Sequence, residues 1–354
     1  MFGGAGAAPS NDNPNGDVEV PNPPDDGISC LAWSCHNHLA VGSWDRSIRV
    51  WDVKMQGVGA QMQVAANPML QYTMDGPVLC VAFSKDGTIL FSGGCDNQIK
   101  MRNLQNNQEQ IIGKHNAPVK SIFWCEEMKM VISGSWDKTI KFWTGQSQTA
   151  AASLDLPERV YSMDLQYPVL VVGCAERKLL VYDLAQIGQN TQPVRTGDTA
   201  LKMQTRCVAA FPDKTGYAVG SIEGRCSIAY LSMTDKNFAF KCHRNNDEIY
   251  AVNAISFHPT YGTFATAGSD GVFTFWDKDN RQRLKQFSSV NSPITATAFN
   301  PSGHLFAYAC SYDWSKGHEH NYTNIPRKIF LHRCDEAEIK PKPAGNNQRP
   351  GVRR

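Results

Sequence analysis

One segment of the chain contains the residue types of a catalytic triad. His115, Ser133 and Asp137 lie in order, and Trp143 follows the acid by six positions. A histidine that takes a proton from a serine while an aspartate holds it is the arrangement of serine hydrolases. The same side chains can instead surround a tight turn, with the aspartate accepting hydrogen bonds from backbone amides and from the histidine. Parts of the set recur along the chain, so we interpret it as structural.

No other motif indicates catalysis. The sequence has no phosphate-binding loop, dinucleotide-binding glycine motif, HExxH motif or nucleophile elbow. His318 and His320 could ligate a metal, but no third ligand has an evident spacing. We therefore predict a protein that is not an enzyme and that needs no metal or cofactor.

Clustered cations next to aromatic residues indicate binding instead. The stretch 278–285 carries four cations against one acid, a local charge of 4 − 1 = +3. Such a cluster suits a groove that follows a nucleic-acid backbone and stacks its bases, or an acidic peptide with an apolar anchor. A solvated hairpin loop is the alternative. The residues concerned are Lys278, Arg281, Arg283 and Lys285, with Trp276 upstream and Arg225, Phe240, Lys241 and Arg244 in other repeats.

A repeat explains how these residues are positioned. A pattern of strand, turn, strand, acidic residue and third strand recurs seven times, with a period of roughly 45 residues. This period is typical of WD40 blades, so we predict an all-β, seven-bladed WD40 propeller over residues 17–342. The acidic residues are Asp45, Asp96, Asp137, Glu176, Glu223, Asp270 and Asp313.

The two ends of the repeat array must be joined. The last repeat has three predicted strands, and Asp17–Val20 shows strand alternation just before the first repeat. We predict that this segment is the outer strand of the last blade and closes the ring. Residues 1–16 are predicted to form a disordered tail and residues 343–354 a basic tail.

Composition limits the class of protein. The 354 residues are 19% charged with a net charge of +2, which argues against indiscriminate coating of nucleic acid. The 11 cysteines are scattered, which favours a reducing compartment over a disulfide framework. Secretion and membrane insertion are not expected.

Large aromatic residues occupy predicted turns. Trp44 and Trp136 precede the turn acid in two GSWD motifs, and Trp314 begins an insertion that runs to Pro326 in the seventh repeat. A tryptophan in such a turn suits a partner surface, or it packs on the neighbouring blade. A long loop on a compact ring is more often functional than decorative.

Several strings together resemble one family. They are SYDWSKGHE (311–319), GSWDKTIKFW (134–143), GSIEGR (220–225), KCHR (241–244), EIYAVN (248–253) and FWDKD (275–279). The chain is similar to the messenger-RNA export factors of the Rae/Gle family of nuclear-pore WD-repeat propellers. A sister family of spindle-checkpoint propellers shares several strings but lacks the insertion in the seventh repeat.

The resemblance implies a scaffold in the nucleus, at the nuclear pore and also in the cytoplasm. Its partners would be the GLEBS hairpin of a nucleoporin on the top face and single-stranded RNA, with a role in mRNA export. Spindle or checkpoint proteins would be the partners of the alternative, a checkpoint-type adaptor. Matching motifs assign RNA to Arg225, Phe240, Trp276, Lys278, Arg281 and Arg283. The hairpin, which carries paired acids, is assigned to Trp44, Trp136, Arg177, Arg225, Lys241, Arg244 and Trp314.

Overall fold

The computed structural model describes residues 12–57, 62–322 and 325–342. They form a ring of seven four-stranded antiparallel sheets, so the predicted seven-bladed propeller is confirmed. Blade 1 contains β2 (Ile28–Trp33), β3 (His38–Ser43), β4 (Ser47–Gln56) and β5 (Gln63–Thr73). Blade 2 contains β6 (Val78–Phe83), β7 (Ile89–Gly94), β8 (Gln98–Asn103) and β9 (Glu109–Lys114). Blade 3 contains β10 (Val119–Cys125), β11 (Met130–Ser135), β12 (Thr139–Trp143) and β13 (Ala152–Asp155).

The remaining blades continue around the ring. Blade 4 contains β14 (Val160–Gln166), β15 (Val169–Cys174), β16 (Lys178–Asp183) and β17 (Arg195–Asp198). Blade 5 contains β18 (Thr205–Ala210), β19 (Gly216–Ser221), β20 (Arg225–Tyr230) and β21 (Phe238–Lys241). A small hairpin of β22 (Arg244–Asn245) and β23 (Glu248–Ile249) precedes blade 6, which contains β24 (Val252–Phe257), β25 (Phe264–Gly268), β26 (Phe273–Asp277) and β27 (Gln282–Gln286). Blade 7 contains β28 (Ile294–Phe299), β29 (Leu305–Cys310), β30 (Lys328–Arg333) and the N-terminal β1 (Val18–Glu19).

Helical elements are single turns. Short 3-10 turns occupy Ala175–Arg177, Leu184–Gln186, Thr234–Lys236 and His318–His320, and α1 (Glu336–Ile339) follows the last strand. In the part of the chain that the structure describes, no helix has the length and apolarity to cross a membrane.

Apolar clusters lie between neighbouring blades. Each of the seven blade–blade contacts has its own buried cluster among the described residues. In β15, every residue is buried. A strand sends alternate side chains to opposite faces, and both faces of a blade meet a neighbour, so the inner strands are almost continuously apolar. The first strands of adjacent blades lie side by side around a central channel.

The N-terminal strand closes the ring as predicted. Val18 pairs with Leu331 and Glu19 with Phe330 in an antiparallel ladder. The amide of Val20 extends it by donating to the Ile329 carbonyl at 2.9 Å, and the Val20 side chain has no exposed surface. Residues that are far apart in sequence are therefore held in one sheet, and the ring has no open edge.

A buried polar cluster fastens this strand. Asp17 accepts a 2.8 Å hydrogen bond from the Tyr308 hydroxyl and lies 2.7 Å from His332 Nδ1. His332 Nε2 lies 3.0 Å from a Glu338 oxygen, and Lys285 pairs with the same carboxylate. Burial alone would lower the pKa of His332, but the hydrogen bonds to Asp17 and Glu338 outweigh it and raise the pKa. His332 thus ties β1, β30 and α1 together.

The predicted N-terminal tail ends earlier than we expected. Residues 1–11 lie outside the described part, but Asp12–Gly16 form a turn against the ring, which differs from a disordered tail. The Asn15 side chain donates to the Ser288 carbonyl and accepts from the Ser288 amide, and the Asn13 side chain bonds both backbone groups of Asp17. Asparagine side chains imitate backbone in this way, so a polar composition did not prevent order here. The predicted basic tail, residues 343–354, lies outside the described part.

Candidate partner and nucleic-acid interfaces

The first strand of every blade has a β-bulge at the same position, close to the top face. A bulge turns one side chain out of the regular alternation, and here it turns toward the channel. Together the seven side chains line the top opening of the channel, a cavity of ≈ 490 Å³. We call them the bulge ring: Ser29, Leu79, Lys120, Tyr161, Arg206, Asn253 and Thr295.

The bulge ring contains two cations and no acid. Within the described ranges, no carboxylate lies at ion-pair distance from Lys120 or Arg206. Arg206 donates to the Asp313 carbonyl at 3.2 Å, and its Nε is buried without a partner. Asp313 is the nearby acid, but Ser269, Asn253 and Ser315 already hydrogen-bond its carboxylate. The lining of the opening thus holds two cations against the one carboxylate of Asp313, so it keeps a net positive charge.

Three tryptophans surround this opening. Trp44, Trp136 and Trp314 all line the same cavity. The Trp44 and Trp314 rings are 5.6 Å apart, and the Trp136 Nε1 is buried without a hydrogen-bond partner in the described residues. The insertion holds Trp314 in place, because the Tyr312 hydroxyl donates to the Gly317 carbonyl at 2.8 Å. We call the bulge ring with these tryptophans the top mouth.

Sequence reasoning missed Lys120 and Arg206, and it chose four other cations for an acidic partner. Arg177 is paired with Asp198 at 3.0 Å, and Arg244 donates to the Glu223 carbonyl at 2.7 Å. Arg225 and Lys241 face each other on β20 and β21. None of these four lines the top-mouth cavity, whereas the predicted tryptophans all do. Lys120 and Arg206 are each the second residue of a blade's first strand. The bulge falls at this position in all seven blades, so the position in the repeat could have identified them.

A second surface runs between blades 5 and 6. The rings of Phe240 and Trp276 are 4.7 Å apart, and those of Phe238 and Phe240 are 6.0 Å apart. The Arg281 guanidinium lies 4.8 Å from the centre of the Phe238 ring, and the exposed Arg283 faces Trp276 across the ladder. We call this surface the aromatic groove. It unites four of the six residues predicted for RNA.

The other two predicted residues lie elsewhere. Lys278 is only 4% exposed, with its ammonium group 2.9 Å from Asp279 and 3.5 Å from Asp213. It packs over Phe211, so its charge is internal rather than presented to a ligand. Alternation along β20 places Arg225 on the face of blade 5 opposite to Cys226, whose side chain packs with the groove aromatics. Lys285 is paired with Glu338, so Arg281 and Arg283 are the cations of this stretch that have no ion pair in the described residues.

The triad-like residues are part of the blade core. His115 lies 2.9 Å from Asp137 and 2.8 Å from the Ser133 hydroxyl, to which Trp143 donates at 2.8 Å. Burial lowers the pKa of His115. Burial would raise the pKa of Asp137, but hydrogen bonds, with Thr139 the strongest donor, lower it overall. Ser133 has no exposed surface, so no substrate can reach it.

Blade 6 contains a second complete set, which the sequence reasoning did not identify. His243 lies 2.9 Å from Asp270 and 2.9 Å from the Thr266 hydroxyl, and Trp276 donates to the same hydroxyl. Threonine in place of serine, and the small β22–β23 hairpin after His243, concealed the pattern. Trp276 consequently belongs both to this network and to the aromatic groove. Across the described ranges, no three His, Cys, Asp or Glu side chains are grouped to hold a metal.

Comparison with known proteins defines the class first. Four segments match the WD domain, G-beta repeat, at residues 20–52, 69–103, 106–144 and 235–277. The ring is thus a WD-repeat propeller, as its blades and polar networks indicate.

Relatives that align with nearly the whole chain define the family. The chain is 44% identical to the "Poly(A)+ RNA export protein" of Schizosaccharomyces pombe, over 92% of this chain and 93% of the relative. It is 43% identical to "mRNA export factor GLE2" of Chaetomium thermophilum, over 93% of each. It is 42% identical to "Protein Rae1" of Drosophila melanogaster, over 97% of this chain and 99% of the relative. The chain belongs to the Rae1/Gle2 family of mRNA export factors.

Proposed function

We propose that this protein is a non-catalytic scaffold for the export of mRNA, acting in the nucleus at the nuclear pore and passing to the cytoplasm. The names of its relatives support a role in export. On this proposal the top mouth binds the acidic GLEBS hairpin of a nucleoporin, and the aromatic groove contacts single-stranded RNA.

The net positive charge of the top mouth supports the first part of the proposal, the binding of an acidic hairpin. Lys120 and Arg206 line a partly enclosed cavity, and cations there are costly to keep without a counter-charge. Paired carboxylates on a hairpin would supply that charge, while Trp44, Trp136 and Trp314 offer apolar area around it. Aromatic residues surrounding a charged centre are typical of interface hot spots. This arrangement suits an acidic peptide with apolar flanks.

Charge reversal at the mouth tests this part. We expect K120E/R206E to bind a GLEBS hairpin peptide at least 100-fold more weakly than the unchanged protein, because loss of a desolvated charge pair costs about 2–5 kcal/mol. Calorimetric titration would measure the affinity. The matched control is K54E/K129E, which reverses two well-exposed cations outside the mouth. Equal affinity for the mouth variant and the control would reject the proposal.

The alternative partner has the same chemistry. A checkpoint-type adaptor would also receive paired acids in a propeller mouth, so the test must compare peptides from nucleoporins with peptides from checkpoint proteins. Recovery of nucleoporins from nuclear extract after RNase treatment would favour the pore scaffold. Recovery of checkpoint kinases alone would favour the adaptor.

The aromatic groove carries the second part. Phe240 and Trp276 form an aromatic surface, and Arg281 and Arg283 add cations that are not held by ion pairs in the described residues. Stacking of bases on aromatic rings is worth about 1–3 kcal/mol per base and tolerates any sequence. Cations beside the rings neutralise phosphates. The groove therefore suits single-stranded RNA of varied sequence.

Charge reversal in the groove tests the RNA contact. We expect R281E/R283E to bind an oligo(U) strand about 10-fold or more weakly at low salt, with a shallower dependence of affinity on salt, measured by fluorescence anisotropy. R225E is the comparison variant. Arg225 points to the other face of blade 5, so its charge reversal should change the affinity for RNA little. If R225E weakens binding and R281E/R283E does not, the groove is wrongly placed.

A further inference from the structure

A short turn of blade 5 borders the aromatic groove. The connection from β20 to β21 contains the single 3-10 turn Thr234–Lys236, which closes with a 3.2 Å hydrogen bond from the Asn237 amide to the Thr234 carbonyl. The Lys236 carbonyl accepts a 3.2 Å hydrogen bond from the Arg281 guanidinium. The turn therefore lies against one of the two cations that we propose to contact RNA.

The turn presents an accessible hydroxyl. Thr234 is exposed, and its hydroxyl has no hydrogen-bond partner within the described residues. Asp235 follows it directly and is exposed as well. Protein kinases select their substrates partly by charge pattern, and an acid beside the target hydroxyl suits a kinase with a basic substrate site. An exposed turn with few backbone hydrogen bonds also opens locally at low cost, so the segment can enter such a site.

We propose that Thr234 is a phosphorylation site and that its phosphate pairs with Arg281, so that this cation no longer contacts RNA. The proposal rests on the RNA contact proposed above. In the reaction the hydroxyl oxygen bonds to the γ-phosphorus of ATP, and the bond from that phosphorus to the bridging oxygen breaks. The hydroxyl proton passes to the base of the kinase and ADP leaves. The product carries a charge of about −1.5 to −2 on strongly accepting oxygens.

The geometry of the turn supports this pairing. Thr234 and Lys236 are two residues apart on the 3-10 turn, a rise of about 4 Å. Because Arg281 touches the Lys236 carbonyl, its guanidinium lies within reach of a phosphate on Thr234. An arginine–phosphate pair is about twice as strong as a hydrogen bond between neutral groups, so it would displace the carbonyl as the partner of Arg281. An RNA strand in the groove would then meet one cation fewer and an added negative charge.

Protein with phosphothreonine placed at position 234 by genetic incorporation tests the effect on RNA. We expect its affinity for a 20-nucleotide oligo(U) at low salt to fall about 10-fold. The slope of log affinity against log salt should decrease by about 0.7, the contribution of one phosphate of a single strand. T234E, which adds a smaller charge, should lose about 3-fold. T149E adds the same charge to the corresponding loop of blade 3, and it should bind like the unchanged protein.

R281Q distinguishes pairing with Arg281 from general repulsion. In this variant the phosphate at position 234 should weaken RNA binding by less than about 2-fold, because its partner is absent. Phosphorus-31 NMR gives a measurement that does not involve RNA. The second pKa of the phosphate, ordinarily about 6, should be lower by at least about 0.5 in the protein with Arg281 than in R281Q. R283Q removes a neighbouring cation and should leave this pKa nearly unchanged. Equal values with and without Arg281 would overturn the pairing.

The outcomes separate this proposal from the RNA contact. If R281E/R283E loses RNA affinity but phosphate at position 234 does not lower it, the groove stands and the regulation fails. If R281E/R283E binds RNA like the unchanged protein, the groove assignment fails, and the NMR measurement alone decides whether the phosphate pairs with Arg281.

Protein isolated from its native cells tests whether the site is modified. Trypsin cleaves after Arg225 and Lys236, and the peptide 226–236 contains Thr234. Mass spectrometry should show phosphate on this threonine. A peptide without phosphate, or with phosphate on Ser232 alone, would reject the site.

Discussion

Removing residues 1–26 is expected to destabilise the ring by about 5–10 kcal/mol, a large part of the stability of a typical domain. The truncation takes away the fully buried Val20 and the partners of three buried polar groups. Tyr308 and His332 lose Asp17, and Trp51 loses the Pro21 carbonyl, to which its Nε1 donates at 2.9 Å. Each unsatisfied group costs about 1–3 kcal/mol, and the lost apolar side chain adds about 2 kcal/mol. Thermal and urea unfolding would measure the loss.

A shorter truncation is the control for this experiment. Removal of residues 1–11 leaves these contacts in place and should change the free energy of unfolding little. The difference between the full-length and the 1–26-truncated protein should also depend on pH. The pKa of His332 is raised in the folded state above its unfolded value of about 6.5, so its contribution is complete below that pH and is lost as pH rises through the raised pKa. An unchanged melting temperature after the 1–26 truncation would show that closure does not stabilise the ring.

Replacement of Trp143 by alanine is expected to cause the second large loss of stability. Trp143 is 1% exposed and packs flat against Gly113, where an added Cβ would lie 2.4 Å from its ring. Truncating a buried tryptophan costs about 3–5 kcal/mol, because the site between blades 2 and 3 cannot collapse fully. The Ser133 hydroxyl also loses its donor. We expect a corresponding fall in the urea midpoint, with no change in hairpin affinity in the protein that remains folded.

Trp314 provides the matched comparison. It is 40% exposed at the top mouth, so W314A should change stability by less than about 1 kcal/mol while weakening the hairpin. The two tryptophans thus separate a role in the core from a role in binding. Equal destabilisation by W143A and W314A would contradict the assignment of Trp143 to the blade core.

The fold could be predicted because its signals are local and repeated. A turn acid precedes each third strand and so marks seven blades, and in four of them an aromatic residue follows the acid by six positions: Trp51, Trp143, Tyr182 and Trp276. Closure could be predicted because Val18 and Val20 alternate with acids and lie just before the first repeat. Even the top-mouth tryptophans followed from the tight GSWD turn and from the insertion at Trp314.

The sites could be predicted only in part because charge alone does not show where a side chain points. Lys120 and Arg206 stand among ordinary strand residues, and only the bulge turns them into the channel. Lys278 belongs to a basic string, but in the fold it is buried and paired with Asp279 and with Asp213 from blade 5. Arg225 was assigned to the groove by its motif, yet strand alternation directs it to the other face. Tertiary structure determines where a bulge lies, which distant residues form an ion pair and to which face of the sheet a side chain points.

Ring closure also determines when, during synthesis, the top mouth is first complete. Val18 leaves the ribosome early, but its partner Leu331 is made 313 residues later. At about 5–20 residues per second the first strand waits roughly 15–60 s for its place in the sheet. During that time the apolar faces at the two open ends of the growing array lack their neighbours, and the bulge ring still lacks Thr295. A complete mouth therefore exists only on a chain that has been translated through its last blade, so a partner that binds there selects finished molecules over nascent ones.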